Sequence, residues 1–150
     1  MSNRLGELHV IPGLAPVSAT GALYGDVINM ESLLELEIDV LAGVVGTSQT
    51  ITVEECDNVT PDTPTAIAYT YQKSSAVNTD TMGAVTLISG TAGTTMVAGT
   101  ILRIFIQSAD LSAGYPFVRV KCTSSGTCLI AAMYIARDRY PQEIPVSAIA

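Results

Sequence analysis

Glu35, Glu37 and Asp39 are the residues of this chain whose types and spacing come nearest to a chemical site. They alternate with Leu34, Leu36, Ile38 and Val40, so a period of two puts three carboxylates on one face of a strand and the aliphatics on the other. Paired acids can work as general acid and base, or hold a cation. Glycoside hydrolysis needs two carboxylates ~5 to 10 Å apart in a cleft. Glu35 and Glu37 meet the distance at ~7 Å along a strand, but no tryptophan is present to line a sugar subsite. No other ligand type accompanies the acids, which favours a solvated or salt-bridged face. Arg103, Arg119 and Lys121 are the expected partners, within the sheet or across subunits.

The other chemical candidates fare less well. The sole histidine, His9, lies in a Pro- and Gly-rich N-terminal stretch, and the chain has no G-x-S-x-G elbow for a nucleophilic serine. Cys56 is flanked by Glu55 and Asp57, which raise a thiol pKa rather than activate it. Cys122 and Cys128 flank TSSGT and could face each other across a hairpin; two half-buried thiols are favoured over a bridge in a cytosolic product. One histidine and no C-x-x-C leave no zinc site. The Gly/Thr stretch SGTAGTTMVAGT lacks the G-K-[ST] ending of a phosphate loop and reads as a long turn. Asn58-Val59-Thr60 matches a glycosylation acceptor, but Pro61 follows it and no secretion signal precedes it. No enzyme activity, metal or cofactor is expected.

The elements that position these residues are strands. Residues 100–140 organise the chain: a β-branched and aliphatic run over 101–106, an alternating run over 117–123, and a continuous apolar run over 128–136, too long for an exposed strand. In the alternating run Val118, Val120 and Cys122 share one face, and Phe117, Arg119 and Lys121 the other. Residues 49–54 alternate with Ile51 and Val53 inward, and 66–72 place Ile67, Tyr69 and Tyr71 together. A single helical turn is expected near Ser108 to Asp110. With turn signals at regular intervals, the pattern predicts an all-β, jelly-roll-like β-sandwich of about seven to eight antiparallel strands.

The domain occupies residues 26–140, between an extended N-terminal arm over 1–25 and an extended C-terminal tail over 141–150. Pro12, Pro16 and four glycines argue against helix and central strand in the first 25 residues. Yet Leu5, Leu8, Val10, Ile11 and Leu14 are too apolar for a solvated tail. They are the candidate contacts to the chain's own domain or to a neighbouring subunit, and residues 1–22 are expected to be dispensable for folding but needed for attachment or assembly.

Composition narrows the function. Hydrophobic residues make up 48% and charged residues 14% of the 150, against roughly 25% charged in ordinary soluble domains. Such a surface suits cover in an assembly, and an obligate homo-oligomer is expected. A net charge of -7 with scattered basic residues argues against nucleic-acid binding. No run approaches the ~18 apolar residues of a membrane helix. MSNRLGELHVIPG lacks the features of a signal peptide, so synthesis in the cytosol without secretion is expected.

Four segments carry a family resemblance: YGDVINMESLLELEIDVLAG, ITVEECDN with its polar continuation, AGTILRIFIQSADLSAG and PFVRVKCTSSGTCLIAAMYIARDRYP. Over residues 24–141 the chain resembles the small capsid decoration (cement) proteins of tailed bacteriophages. The resemblance implies a β-sandwich that trimerises on the outside of an icosahedral head, with the major capsid protein as partner and no cofactor or catalytic residue. Localisation would be the virion surface after synthesis in the host cytoplasm. The long apolar N-terminal arm departs from the pattern in part. Another phage head or tail fitting, or a carbohydrate- or cell-surface-binding β-sandwich in which tyrosines replace tryptophan, stays open.

Overall fold

The computed structural model describes residues 8–46 and 49–139. Ten strands lie among them: β1 (Leu8–Tyr24), β2 (Ile28–Asn29), β3 (Leu33–Val45), β4 (Gln49–Cys56), β5 (Thr65–Ile67), β6 (Tyr69–Lys73), β7 (Thr86–Ile88), β8 (Thr94–Met96), β9 (Thr100–Gln107) and β10 (Phe117–Asp138). A 3-10 turn, Ser108–Asp110, follows β9 where a helical turn was expected. All pairings are antiparallel. The fold is all-β and jelly-roll-like.

β10 is the spine. The sequence reads as two strands around TSSGT, but the chain bends sharply there without leaving the ladder and makes one strand of 22 residues. Residues 117–124 pair with β4, and residues 128–138 pair with β3. One strand thus serves both halves of the sandwich, as strands do when they turn a corner between packed sheets. The opposite crossing is made at Ala68, where the expected strand over 66–72 breaks: β5 pairs with β4, and β6 pairs with β9. The sheet order β5-β4-β10-β3-β9-β6-β7 therefore curls back on itself.

The N-terminal segment is not free of regular structure. Over 17 residues β1 runs antiparallel to β10, from Leu8 opposite Arg137 to Tyr24 opposite Lys121. Proline is excluded from central strands, where it would lack a ladder donor, but β1 is paired along one side and edges tolerate it. Two register shifts, at 12/14 and 14/17, absorb Gly13 and the Ala15-Pro16 pair as bulges of β1, and a third, at 19/21, takes up the extra residues of β10 at 125–127. Gly21, at φ 93°, takes a conformation that side chains rarely adopt.

Inward positions follow the period of two. Leu36, Ile38, Val40 and Ala42 of β3, Ile51 and Val53 of β4, Leu102 and Ile104 of β9, and Val118, Cys128 and Tyr134 of β10 are fully buried. One expectation shifts by a residue. Leu33 is buried and Leu34 exposed, because a register irregularity at Arg137/Asp138 resets the alternation at the start of β3. The three cysteines are buried thiols, and the Cys128 thiol sits against that of Cys122 at the bend of β10 rather than across a hairpin.

Buried acids of high pKa make the core sensitive to alkali. Tyr69 donates its hydroxyl to the Ile51 carbonyl at 2.7 Å and is 3.0 Å from the Thr94 hydroxyl. Burial pushes its pKa up to about 12, and pushes Cys56 and Cys122 up to about 11. The unfolded chain ionises these groups near their ordinary values while the folded chain keeps the protons. Stability is therefore fully present below pH ~9 and falls as pH rises from there through 12. Tyr69 alone accounts for roughly 3 kcal/mol over two pH units. Urea midpoints measured from pH 7 to 12 should be flat to about pH 9 and then fall, and Tyr69→Phe should flatten the steepest part.

Candidate interaction surface

The outer face of β3, β9 and β10 carries the acidic residues, and it divides into an ionic band and an apolar end. In the band, Arg103 of β9 stands opposite Asp39 and reaches both acids: Nε lies 2.6 Å from Glu37 Oε1 and 2.9 Å from Asp39 Oδ1. Arg137 of β10 stands opposite Glu35 and pairs with it at 3.1 Å. Burial raises the Glu37 pKa, and Arg103 opposes that shift. Each acid is matched across a strand, which is the arrangement of a salt-bridged face rather than of a general acid and base. Arg137–Glu35 is about half-exposed, and such pairs contribute about 0 to 1 kcal/mol. Glu35→Gln should leave the thermal midpoint within about 3 °C of the parent by calorimetry.

Arg119 and Lys121, expected to pair with those acids, serve Glu54 on the other half of the sandwich. Arg119 donates Nε and Nη2 to Glu54 Oε2 at 2.9 and 2.7 Å, and Lys121 Nζ is 2.9 Å from Oε1. Arg119 also lies over the Tyr24 ring, 4.3 Å from its centre. The Glu54 side chain is 5% exposed and that of Arg119 13%. Removing one partner of such a pair strands a buried charge. Glu54→Ala should cost about 3 kcal/mol in urea denaturation, and Lys121→Met much less, because Glu54 then still keeps both hydrogen bonds from Arg119.

The apolar end comes from a regularity concealed in the run over 128–136. Cys128, Ile130, Ala132, Tyr134 and Ala136 point inward. The same period sends Leu129 and Met133 outward, so half of a run expected to be buried faces solvent. Leu41 and Val44 of β3 join them, whereas Leu8 and Val10 of β1 stand opposite Arg137 and Ile135, in the rows of the ionic band. Where the β1 bulges lean over β10, residues 12–16, Leu41, Ile101, Ala131 and Met133 enclose a groove of about 440 Å³. Its one charged lining residue is Asp39, already held by Arg103.

The N-terminal contact candidates separate on this structure. Leu8 and Val10 are exposed beside the ionic band, opposite Arg137 and Ile135. Ile11 is buried in the chain's own core, Leu14 is half-buried and lines the groove, and Leu5 lies outside the described residues. His9 stands in β1 opposite Ala136. Sequence reasoning missed Leu41, Ile101, Leu129 and Met133; applying the two-residue period to the run over 128–136 would have found the last two. Among the described residues, no group of three or more His, Cys, Asp or Glu is placed to hold a metal ion.

No family model and no curated protein matches the chain. Among solved structures, the SPBc2 prophage-derived protein YomS is similar over 86% of this chain and 93% of its own, at 17% identity and a TM-score of 0.47. Chains of infectious bursal disease virus, Gt and Gx strains, align with 95% of this chain at 10% and 12% identity, with TM-scores of 0.25 and 0.23. This chain spans 43% of those viral chains. At these scores the likenesses bear on neither mechanism nor partner.

Proposed function

We propose that the protein is a non-enzymatic structural virion protein, a capsid decoration protein that binds the outside of a tailed-phage head. Its partners in this reading are the major capsid protein and further copies of itself, as a homotrimer, with no nucleic acid, membrane or cofactor involved. The observation that carries the reading is the apolar outer face of β1, β3 and β10. Leu41, Val44, Val10 and Met133 are each at least half exposed on neighbouring strands, and contiguous apolar patches beyond a few hundred Å² are rare on monomers. The resemblance of residues 24–141 to cement proteins agrees in kind.

The test is sedimentation of the purified protein with phage heads that lack it, and detection of the protein on intact particles. Saturable co-sedimentation and surface labelling are expected. A monomer that is missing from particles and binds a glycan array would replace this reading with a sugar-binding β-sandwich.

A further inference from the structure

The corner of β10 brings two thiols together. Cys122 and Cys128 lie on either side of residues 125–127, both inward, with 1% and 0% of their surface exposed. Cys122 belongs to the half of β10 that pairs with β4, opposite Ile51, and Cys128 to the half that pairs with β3, opposite Val45. Their side chains meet across the inside of the bend. Gln49, the first residue of β4, is fully buried beside them. Its Nε2 lies 3.0 Å from Cys122 Sγ, and its Oε1 has no hydrogen-bond partner among the described residues. Ser125 and Thr127, between the two cysteines, are exposed, so the pair lies just beneath the surface at this corner. We propose that Cys122 and Cys128 form a redox site: thiols in a reducing cytoplasm, and a disulfide that clamps the corner of β10 once a small disulfide of the glutathione class reaches it. The chemistry stands without the virion reading. Under that reading, the change of environment is the passage from host cytoplasm to released particle, where disulfides persist.

Thiol–disulfide exchange supplies the balance. One thiolate of the pair attacks a sulfur of oxidised glutathione, breaks its S–S bond and expels one glutathione thiolate. The second thiol loses its proton to solvent, attacks the protein sulfur of the mixed disulfide and expels the other glutathione. Two protein thiols are oxidised, and one glutathione disulfide is reduced to two thiols. The bridge is favoured over the mixed adduct for two reasons. The side chains already touch, so the second step needs no search. The adduct carries a tripeptide, for which a fully enclosed core position has no room. Burial raises the Cys122 pKa to about 11, so little thiolate is present at neutral pH and oxidation is slow. Reaction waits on local opening of the corner. The unmet Gln49 oxygen lowers the stability of that corner, because a buried polar group without a partner is costly. A covalent tie acts where the core is least satisfied. Cys56 stands apart, opposite Phe117 at the far end of β4, with its thiol 3.9 Å from the Glu54 carbonyl oxygen.

The experiment takes the purified full chain, reduces it, and then equilibrates it with oxidised glutathione at mildly alkaline pH. The protein should lose ~2 Da, the two hydrogens of the thiols. After denaturation only Cys56 should take up an alkylating reagent, and a peptide map should join Cys122 to Cys128. The thermal midpoint should rise by about 5 to 10 °C, the effect of closing a loop of this size, and dithiothreitol should reverse the rise. Cys128→Ala, treated in the same way, should show no rise. The alkylation count on the wild type decides the matter even where that variant is too unstable to compare. Alkylation of all three cysteines after prolonged oxidation, a stable glutathione adduct on the wild type, or a bridge to Cys56 would each overturn the inference. So would a bridge that lowers the midpoint, since it would belong to a chain that has left the folded geometry. Attachment to heads is measured separately, so each of these failures leaves the virion reading standing.

Discussion

Deleting residues 1–22 should unfold the protein. The segment was expected from sequence to be dispensable for folding, but most of it is strand β1, and the structure spends it on the core. Its removal strips one side of β10 from residue 123 to residue 137 of its ladder partner. Each ladder hydrogen bond contributes ~1 kcal/mol net. Ile11 is 4% exposed, and losing a buried aliphatic of that size costs about 2 to 5 kcal/mol. The deletion also removes the Gly13 carbonyl that accepts from Asp26 N at 2.6 Å, and with it the turn that leads into β2. Domains are stable by only about 5 to 15 kcal/mol, so the sum exceeds what the fold can lose. A deletion of residues 1–7 leaves every described pairing in place, and its thermal midpoint should stay near that of the parent. Far-UV circular dichroism with calorimetry on the two truncations is the check. A folded 1–22 deletion with a sharp transition would show that β1 is an adjunct to the sandwich.

What could be read from the sequence follows from how local each signal is. The faces of β3, β4 and residues 117–123 were legible because alternation needs only neighbours in sequence: Ile38, Val120 and Glu37 lie where a period of two puts them. β1 was not legible, because its strand character comes from β10, more than 100 residues away, and no local propensity registers that. Rules against proline and glycine apply to a central strand, and whether a strand is central is itself a tertiary fact. The continuity of β10 was hidden for a related reason. TSSGT has turn composition, yet β1 and β4 hold the chain extended on the approach to it and β3 beyond it. Composition suggested exposed apolar surface, but only the strand order places Leu41, Ile101 and Met133 together, from three different strands.

Tyr134→Ala should be the most damaging single substitution among the described residues, with a loss of about 4 to 6 kcal/mol. The side chain is fully buried at the junction of β1, β10 and the turn before β2. Its hydroxyl donates to the Asp26 carbonyl at 2.9 Å and accepts from Val120 N at 3.1 Å, so one side chain ties the second half of β10 to the first and to the end of β1. Glycine is required around the ring: a Cβ at Gly13 would overlap it, and one at Gly25 would come within 2.6 Å of the hydroxyl. Truncation to alanine opens a cavity, at about 3 to 5 kcal/mol for an aromatic residue, and leaves two backbone groups without partners. Tyr134→Phe isolates the second effect and should cost about 1 to 3 kcal/mol. Gly13→Ala attacks the same junction from the other side and should also destabilise, while Gly21→Ala meets open space and is opposed only by its backbone angle. Urea denaturation should therefore rank Tyr134→Ala below Tyr134→Phe and the wild type above both. A phenylalanine variant as stable as the wild type would mean that water replaces the hydroxyl.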